Sequence, residues 1–286
     1  MKELSHQVAI VTGASAGIGA ATAAALAQQG VHLALAARRA DRLDALAAEL
    51  RQHYGVRTLV LPTDMAQRSQ IEAMVQATLA HFGRIDLLIN NAGLGLQGDA
   101  MQLDEAQLRY LFEVNFFGPI FAMQSVAPIM VRQGGGVIVN VGSILGKIVV
   151  PSLGMVGSSA GYTASKFALG AFSAAARVEL AAQGVRIVTV LPGVTATEFD
   201  ASFLLPPGTQ ASHPPQRAGL LGRTPAQRVG ERIVRAIERG EREVYITWKD
   251  RLIVLGATTF PGLWAWGLTR LRWWRTAKKR RECNSF

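Results

Sequence analysis

Tyr162 and Lys166 stand four residues apart in Tyr162-Thr163-Ala164-Ser165-Lys166. On a helix that spacing puts the phenol and the ammonium on one face. A free tyrosine titrates at about 10, and a neighbouring ammonium favours the phenolate and lowers that value. The pair can then give a proton to a reacting oxygen or take one from it. Upstream, Thr12-Gly13-Ala14-Ser15-Ala16-Gly17-Ile18-Gly19 follows an apolar run and opens an alanine-rich helix. Glycines there permit a tight turn and let a pyrophosphate approach the backbone. The helix N-terminus adds N–H groups and the positive end of a dipole. An acid/base pair and a dinucleotide turn on one chain point to hydride-transfer chemistry.

The elements that must position these groups follow from the pattern of apolar residues. Runs at 8–11, 31–37, 57–61, 85–90, 136–141 and 185–191 read as short strands, separated by Ala- and Leu-rich stretches with helical spacing. Their hydrophobicity is continuous rather than alternating, which predicts strands covered on both faces. Strand–helix alternation predicts an α/β fold: a doubly wound parallel sheet with right-handed crossovers. A final strand is expected at 243–247. At 286 residues the chain suits one large domain, read as 1–250, with 251–286 as a C-terminal extension. Residues 199–223, with Pro206, Pro207, Pro214 and Pro215, read as a long irregular loop of the lid type.

The end of the second strand bears on which dinucleotide fits. An acid there binds the ribose 2′-hydroxyl of NAD and repels a 2′-phosphate. This chain instead has Ala37-Arg38-Arg39. An arginine can hold a phosphate with paired hydrogen bonds. NADP(H) is therefore expected ahead of NAD(H).

Taken in order, these elements resemble the short-chain dehydrogenase/reductase family over roughly residues 5–250. Thr12 to Gly19 matches its TGxxxGxG turn, and Asn90-Asn91-Ala92-Gly93 its NNAG element. Val114-Asn115 matches the catalytic asparagine, and Asn140-Val141-Gly142-Ser143 brings a serine to the end of the fifth strand. Tyr162 and Lys166 form the YxxxK pair. Pro192-Gly193-Val194-Thr195-Ala196-Thr197 matches the PGxxxT element, and Asp64-Met65 falls where the family holds adenine.

The resemblance implies a Rossmann-type fold and assigns roles. Tyr162 would exchange the proton with the substrate oxygen, and Lys166 would lower its pKa and bind the nicotinamide ribose. Ser143 would orient the substrate oxygen, and Asn115 would hold a water linking Lys166 to solvent. Gly13, Ser15, Gly17, Ile18 and Gly19 would line the pyrophosphate, with Arg38 and Arg39 at the 2′-position and Asp64 and Met65 at the adenine. Asn91, Ala92 and Gly93 would form the cofactor floor. Pro192, Gly193, Val194 and Thr197 would complete the site, with Val194 and Thr197 at the carboxamide. The implied substrate is a hydrophobic ketone, aldehyde or secondary alcohol. A cofactor-binding scaffold without turnover is the competing class, but binding alone needs no phenol/ammonium pair. An epimerase would reuse the same tyrosine.

One departure from the family concerns the spacing between serine and tyrosine. By resemblance about twelve residues separate them, whereas residues 144–161 do so here. Ser143 and Pro151 keep the family's spacing, so the extra residues fall within 152–161. Ser152, Ser158 and Ser159 are thus rivals for the orienting hydroxyl, although Ser143 is favoured by its strand-end position.

Charge singles out the C-terminus. The formal net charge is +10, and Arg270, Arg272, Arg275, Lys278, Lys279, Arg280 and Arg281 crowd one end. That distribution argues against nucleic-acid binding by the whole chain. Residues 252–268 are almost wholly apolar but interrupted by Gly256, Pro261, Gly262 and Gly267, and four of the five tryptophans lie at 264–274. Peripheral contact with an anionic membrane, packing on protein and a membrane span all remain open readings. Cys283 is the only cysteine, which excludes an internal disulfide. The polar start, 1–7, carries no signal-peptide pattern, so a cytoplasmic catalytic domain is expected. The small-residue helix 161–182 resembles the family's subunit-interface helix, implying a homodimer or homotetramer. No metal-ligand pattern is present.

Overall fold

The structure is a computed structural model and describes residues 4–150, 160–205 and 222–283. Seven strands form one sheet: β1 (Val8–Thr12), β2 (His32–Ala37), β3 (Thr58–Pro62), β4 (Leu87–Asn90), β5 (Gly136–Val141), β6 (Val185–Leu191) and β7 (Glu243–Tyr245). Their order is β3-β2-β1-β4-β5-β6-β7, and every neighbouring pair is parallel. The order reverses beside β1, so a crevice opens at the carboxyl ends of β1 and β4, where such sheets bind ligands.

The continuous hydrophobicity of the strands now has its cause. Ala9, Val11, Leu33 and Leu35 point to one face, packed against α1 (Gly17–Ala27), α2 (Ala40–Tyr54) and α7 (Ala226–Arg239). Ile10, Ala34 and Leu88 point to the other, packed against α3 (Arg68–Phe82), α4 (Glu105–Phe112), α5 (Gly118–Arg132) and α6 (Ala160–Ala181). Both faces of the sheet are dry, so alternation is lost. By length and composition the run 105–132 could cross a membrane, but most of its apolar window is buried inside the protein. It is a core element.

Three expectations are adjusted. β7 ends at Tyr245 rather than 247, because Thr247 caps the next helix. Its hydroxyl accepts from the Asp250 N–H, while the Asp250 carboxylate accepts from the Thr247 N–H, a capping box. The stretch after Thr197 is not irregular at its start. A short 3-10 turn, Glu198–Ser202, leads into Phe203–Leu204, which pairs with Gly95–Leu96. Thr224–Pro225 pairs with Thr195–Ala196, so both ends of the expected lid are tied down. Residues 206–221 lie outside the described residues, as do 151–159, which hold Ser152, Ser158 and Ser159. Finally, α8 (Trp248–Thr259) is packed onto the domain: Val254 and Ala257 bury against Ile144, Ile148 and Leu191. It is followed by α9 (Pro261–Cys283).

Candidate active site

The turn after β1 is shaped for an anionic ligand. Gly13 and Gly17 have φ of 65° and 56°, a region costly for residues with a Cβ. A Cβ on Gly19 would run into the carbonyl oxygen of Gly13. α1 begins at Gly17 with no side-chain cap, and its first turn holds no acid. The N–H groups around Gly17, Ile18 and Gly19 are thus left for a ligand. These features fit a dinucleotide pyrophosphate. Thr12 ties the turn to the strand beyond it: its hydroxyl accepts from the N–H of Asn91 and of Ala92, both at 3.0 Å. Asn91 returns the contact, donating from Nδ2 to the Thr12 carbonyl at 2.9 Å.

Beside this turn lie three arginines. Arg39 donates to Ser15 Oγ from Nε at 3.3 Å and from Nη2 at 3.1 Å. Arg38 donates instead to the Tyr110 hydroxyl, 3.1 Å away on α4. Arg42 is a cation the sequence reading missed; it is one turn along α2 from Arg39, and its i+3 spacing was the available signal. Both Arg39 and Arg42 reach Glu198, at 3.4 and 2.6 Å. They hold its carboxyl below the usual range, Arg42 more than Arg39. Asp64 and Met65 follow β3 at the same edge of the crevice; Asp64 Oδ1 accepts from the Ala66 N–H, and Met65 is buried.

The four expected catalytic residues are all buried, and three of them meet directly. Ser143 closes β5 and hydrogen-bonds the Tyr162 hydroxyl. Lys166 Nζ lies 5.8 Å from the centre of the Tyr162 ring and donates to the Val141 carbonyl at 3.0 Å. Asn115 reaches the group through Gly93: a Cβ there would lie 3.3 Å from Asn115 Oδ1 and 3.7 Å from Lys166 Nζ. A π-turn, Glu113–Phe117, carries Asn115 between α4 and α5. Its amide is engaged with Leu94, accepting from its N–H and donating to its carbonyl, both at 2.9 Å, and donating to Ser165 Oγ at 3.2 Å. The side chain therefore fixes the NNAG loop against α6, a positioning role the sequence did not show.

Burial governs the titration of the pair. It pushes the Tyr162 phenol up to about 12, outweighing the lowering effect of the Ser143 hydrogen bond. It pushes the Lys166 ammonium down to about 8. The ammonium donates to the Val141 carbonyl, and removal from water disfavours the charged form of each group.

The segment after β6 closes the site. Pro192 accepts at its carbonyl from Ile144 N–H, 3.0 Å, and from Ser143 Oγ, 3.5 Å. Gly193 lies against the Asp250 carboxylate of α8, leaving no room for a Cβ. The Val194 carbonyl accepts from Thr224 N–H. Thr197 packs on Gly17, where a Cβ would meet its methyl at 3.1 Å. Next come Phe199 and Phe203: the Phe199 ring centre is 5.8 Å from that of Tyr162 and 5.3 Å from that of Phe203. A buried chain behind the site, Asn90 to Asn140 at 2.9 Å and Asn140 to Ser173 at 2.8 Å, locks β4, β5 and α6 together. No cluster of metal ligands occurs among the described residues.

The family profile described as short chain dehydrogenase matches residues 7–205. Human dehydrogenase/reductase SDR family member 7 is 33% identical over 288 residues, 98% of this chain and 80% of that protein. Glycine betaine reductase ATRR of Emericella nidulans is 40% identical over 196 residues, but the match spans only 15% of its length. A short-chain dehydrogenase from Burkholderia phymatum, solved with NAD, superposes with a TM-score of 0.81 at 26% identity, covering 92% of this chain and 96% of the other. One from Sphingobium yanoikuyae, solved with NADPH, gives 0.71 at 30% identity over 91% and 95%. The chain belongs to the short-chain dehydrogenase/reductase family and is an NAD(P)(H)-dependent oxidoreductase.

Proposed function

We propose that the protein is an NADP(H)-dependent oxidoreductase acting on a hydrophobic ketone or aldehyde, or on the matching secondary alcohol. The observation that carries this reading is the buried Ser143–Tyr162 pair lying against an aromatic wall of Phe199 and Phe203. A buried hydroxyl pair can orient one substrate oxygen, and apolar walls favour apolar substituents on its carbon. Arg38, Arg39 and Arg42, with no acid at the end of β2, support NADP(H).

When bound, the nicotinamide supplies or accepts the hydride. Ser143 holds the substrate oxygen in place. In the reducing direction Tyr162 gives its hydroxyl proton to that oxygen, and in the oxidising direction it takes one. Lys166 favours the phenolate left behind, and Asn115 keeps the floor beneath it fixed. Gly13, Gly17 and Gly19 would bring the backbone to the pyrophosphate, with Val194 and Thr197 at the carboxamide. Two subunits would meet through α6, whose outer face exposes Phe167 and Val178.

The test is NADPH consumption with a panel of carbonyls graded from hydrophilic to bulky and apolar. kcat/KM is expected to rise at least about tenfold across the panel, roughly 1.4 kcal/mol of transition-state binding. A flat profile overturns the substrate class. Tight NADPH binding with no consumption for any carbonyl would favour the scaffold reading.

A further inference from the structure

We propose that α8 and the first half of α9 form a docking face for an anionic lipid bilayer. The two helices meet at Phe260 with a bend of 105°. Each has one face turned to the protein and one turned away. α8 buries Asp250, Val254 and Ala257 and presents Trp248, 69% exposed, with Leu252 and Leu255 on the outside. α9 is pinned by Trp264, whose Nε1 donates to the Val149 carbonyl at 3.0 Å, and by Arg272, 3.3 Å from Asp99. Its outer side presents Leu263, Trp266 and Trp273, the last 73% exposed. Large apolar side chains held in water on two successive helices mark a surface that meets something apolar.

Charge identifies the occupant. Residues 251–286 contain eight Lys and Arg and a single acid, Glu282. Lys249 lies over the Trp248 ring at 5.9 Å, and Arg270 over the Trp266 ring at 5.6 Å. Tryptophans paired with cations suit the headgroup layer, where the ring is buried and the charge meets lipid phosphate or carboxylate. A second copy of this chain would bring a like-charged face and be repelled. An anionic bilayer is complementary in both respects. The bend keeps the pair from crossing as one straight helix, so the contact is monotopic.

The face is tied to two segments that neighbour the site in sequence. Val149 belongs to the segment that follows Ser143, and Asp99 follows Gly95–Leu96, the partner of Phe203–Leu204. α9 thus ties the segment after Ser143 to the loop after Gly95–Leu96. The docking face stands whatever carbonyl the site accepts, because its test measures binding and not turnover.

The full chain is mixed with sedimenting vesicles of phosphatidylcholine alone or with phosphatidylserine added. Tight binding is expected only with phosphatidylserine. It is expected to weaken at least tenfold on going from about 0.1 M to about 1 M salt, as screening shortens from about 10 to about 3 Å. Two variants separate the contributions: Trp248→Ser with Trp266→Ser removes outer apolar groups, and Arg270→Glu reverses one charge. Both should keep the wild-type melting temperature and lower vesicle binding at least tenfold and threefold respectively. Three results would overturn the proposal: no binding to either vesicle, equal binding to both, or a wild-type dimer that the double-serine variant converts to monomer without any vesicle binding. The last would assign the face to a second copy.

Discussion

Glu198 accepts a hydrogen bond from Arg42 at 2.6 Å, joining the turn after β6 to the helix after β2. Arg39 holds the same oxygen at 3.4 Å while also donating to Ser15 of the glycine turn. A carboxylate therefore occupies two guanidinium groups that border the pyrophosphate turn. A 2′-phosphate would compete with it for both.

Glu198→Gln is accordingly expected to tighten NADPH binding. The pair is exposed, so the gain is modest, roughly two- to fivefold in Kd. NADH binding should change by less than about twofold, since it brings no 2′-phosphate. Fluorescence titration of both cofactors checks this. An equal shift for the two would mean that Glu198 controls closure of the segment rather than competition for the arginines.

Arg38→Asp should move preference from NADPH towards NADH, with the ratio of kcat/KM changing by at least about tenfold. In the structure Arg38 bonds Tyr110, whereas Arg39 bonds Ser15 and shares Glu198 with Arg42. Arg39→Ala and Arg42→Ala are therefore the informative companions. If Arg38→Asp leaves the ratio unchanged while either of these lowers it, the phosphate is read from α2 and its cap.

Tyr162→Phe should lower kcat at least about a hundredfold, the scale of a general acid, while leaving the Kd for NADPH within about threefold. The ring still packs on Phe199; only the hydroxyl and its Ser143 bond are lost. Retention of more than about a tenth of wild-type kcat would remove Tyr162 from the proton-transfer role.

Lys166 gives a pH signature that does not depend on turnover. Burial holds its folded pKa at about 8, below the model-peptide value of about 10.4. Between these values the unfolded chain binds more protons than the folded one, so stability gains from this residue as pH rises. Below pH 8 both states are protonated and the burial cost is fully present. Relative to Lys166→Met, wild type is expected to gain on the order of 3 kcal/mol between pH 7 and 10. Urea unfolding of the two proteins across that range measures the difference. A constant gap would mean that folded and unfolded chains bind the same number of protons over that range, so that burial does not shift Lys166.

The amino-acid order by itself settled what is local. Continuous apolar runs named the seven strands to within two or three residues, because a strand buried on both faces needs nothing else. The glycine turn was legible because positive φ and close backbone approach require glycine at Gly13, Gly17 and Gly19. The Tyr162–Lys166 pair was legible because one helical turn brings the two together. Tertiary structure decided what depends on residues far apart in the chain. Glu198 meets Arg42 across 156 positions, a pairing no short-range pattern encodes. Asn115 turns inward through a π-turn and commits its amide to Leu94. The phenol and the ammonium titrate away from each other, since burial depends on the whole packed domain and not on their spacing. α8, read as the start of an extension, is held to the core by Asp250, Val254 and Ala257, because only the folded surface offers those side chains a place to be buried.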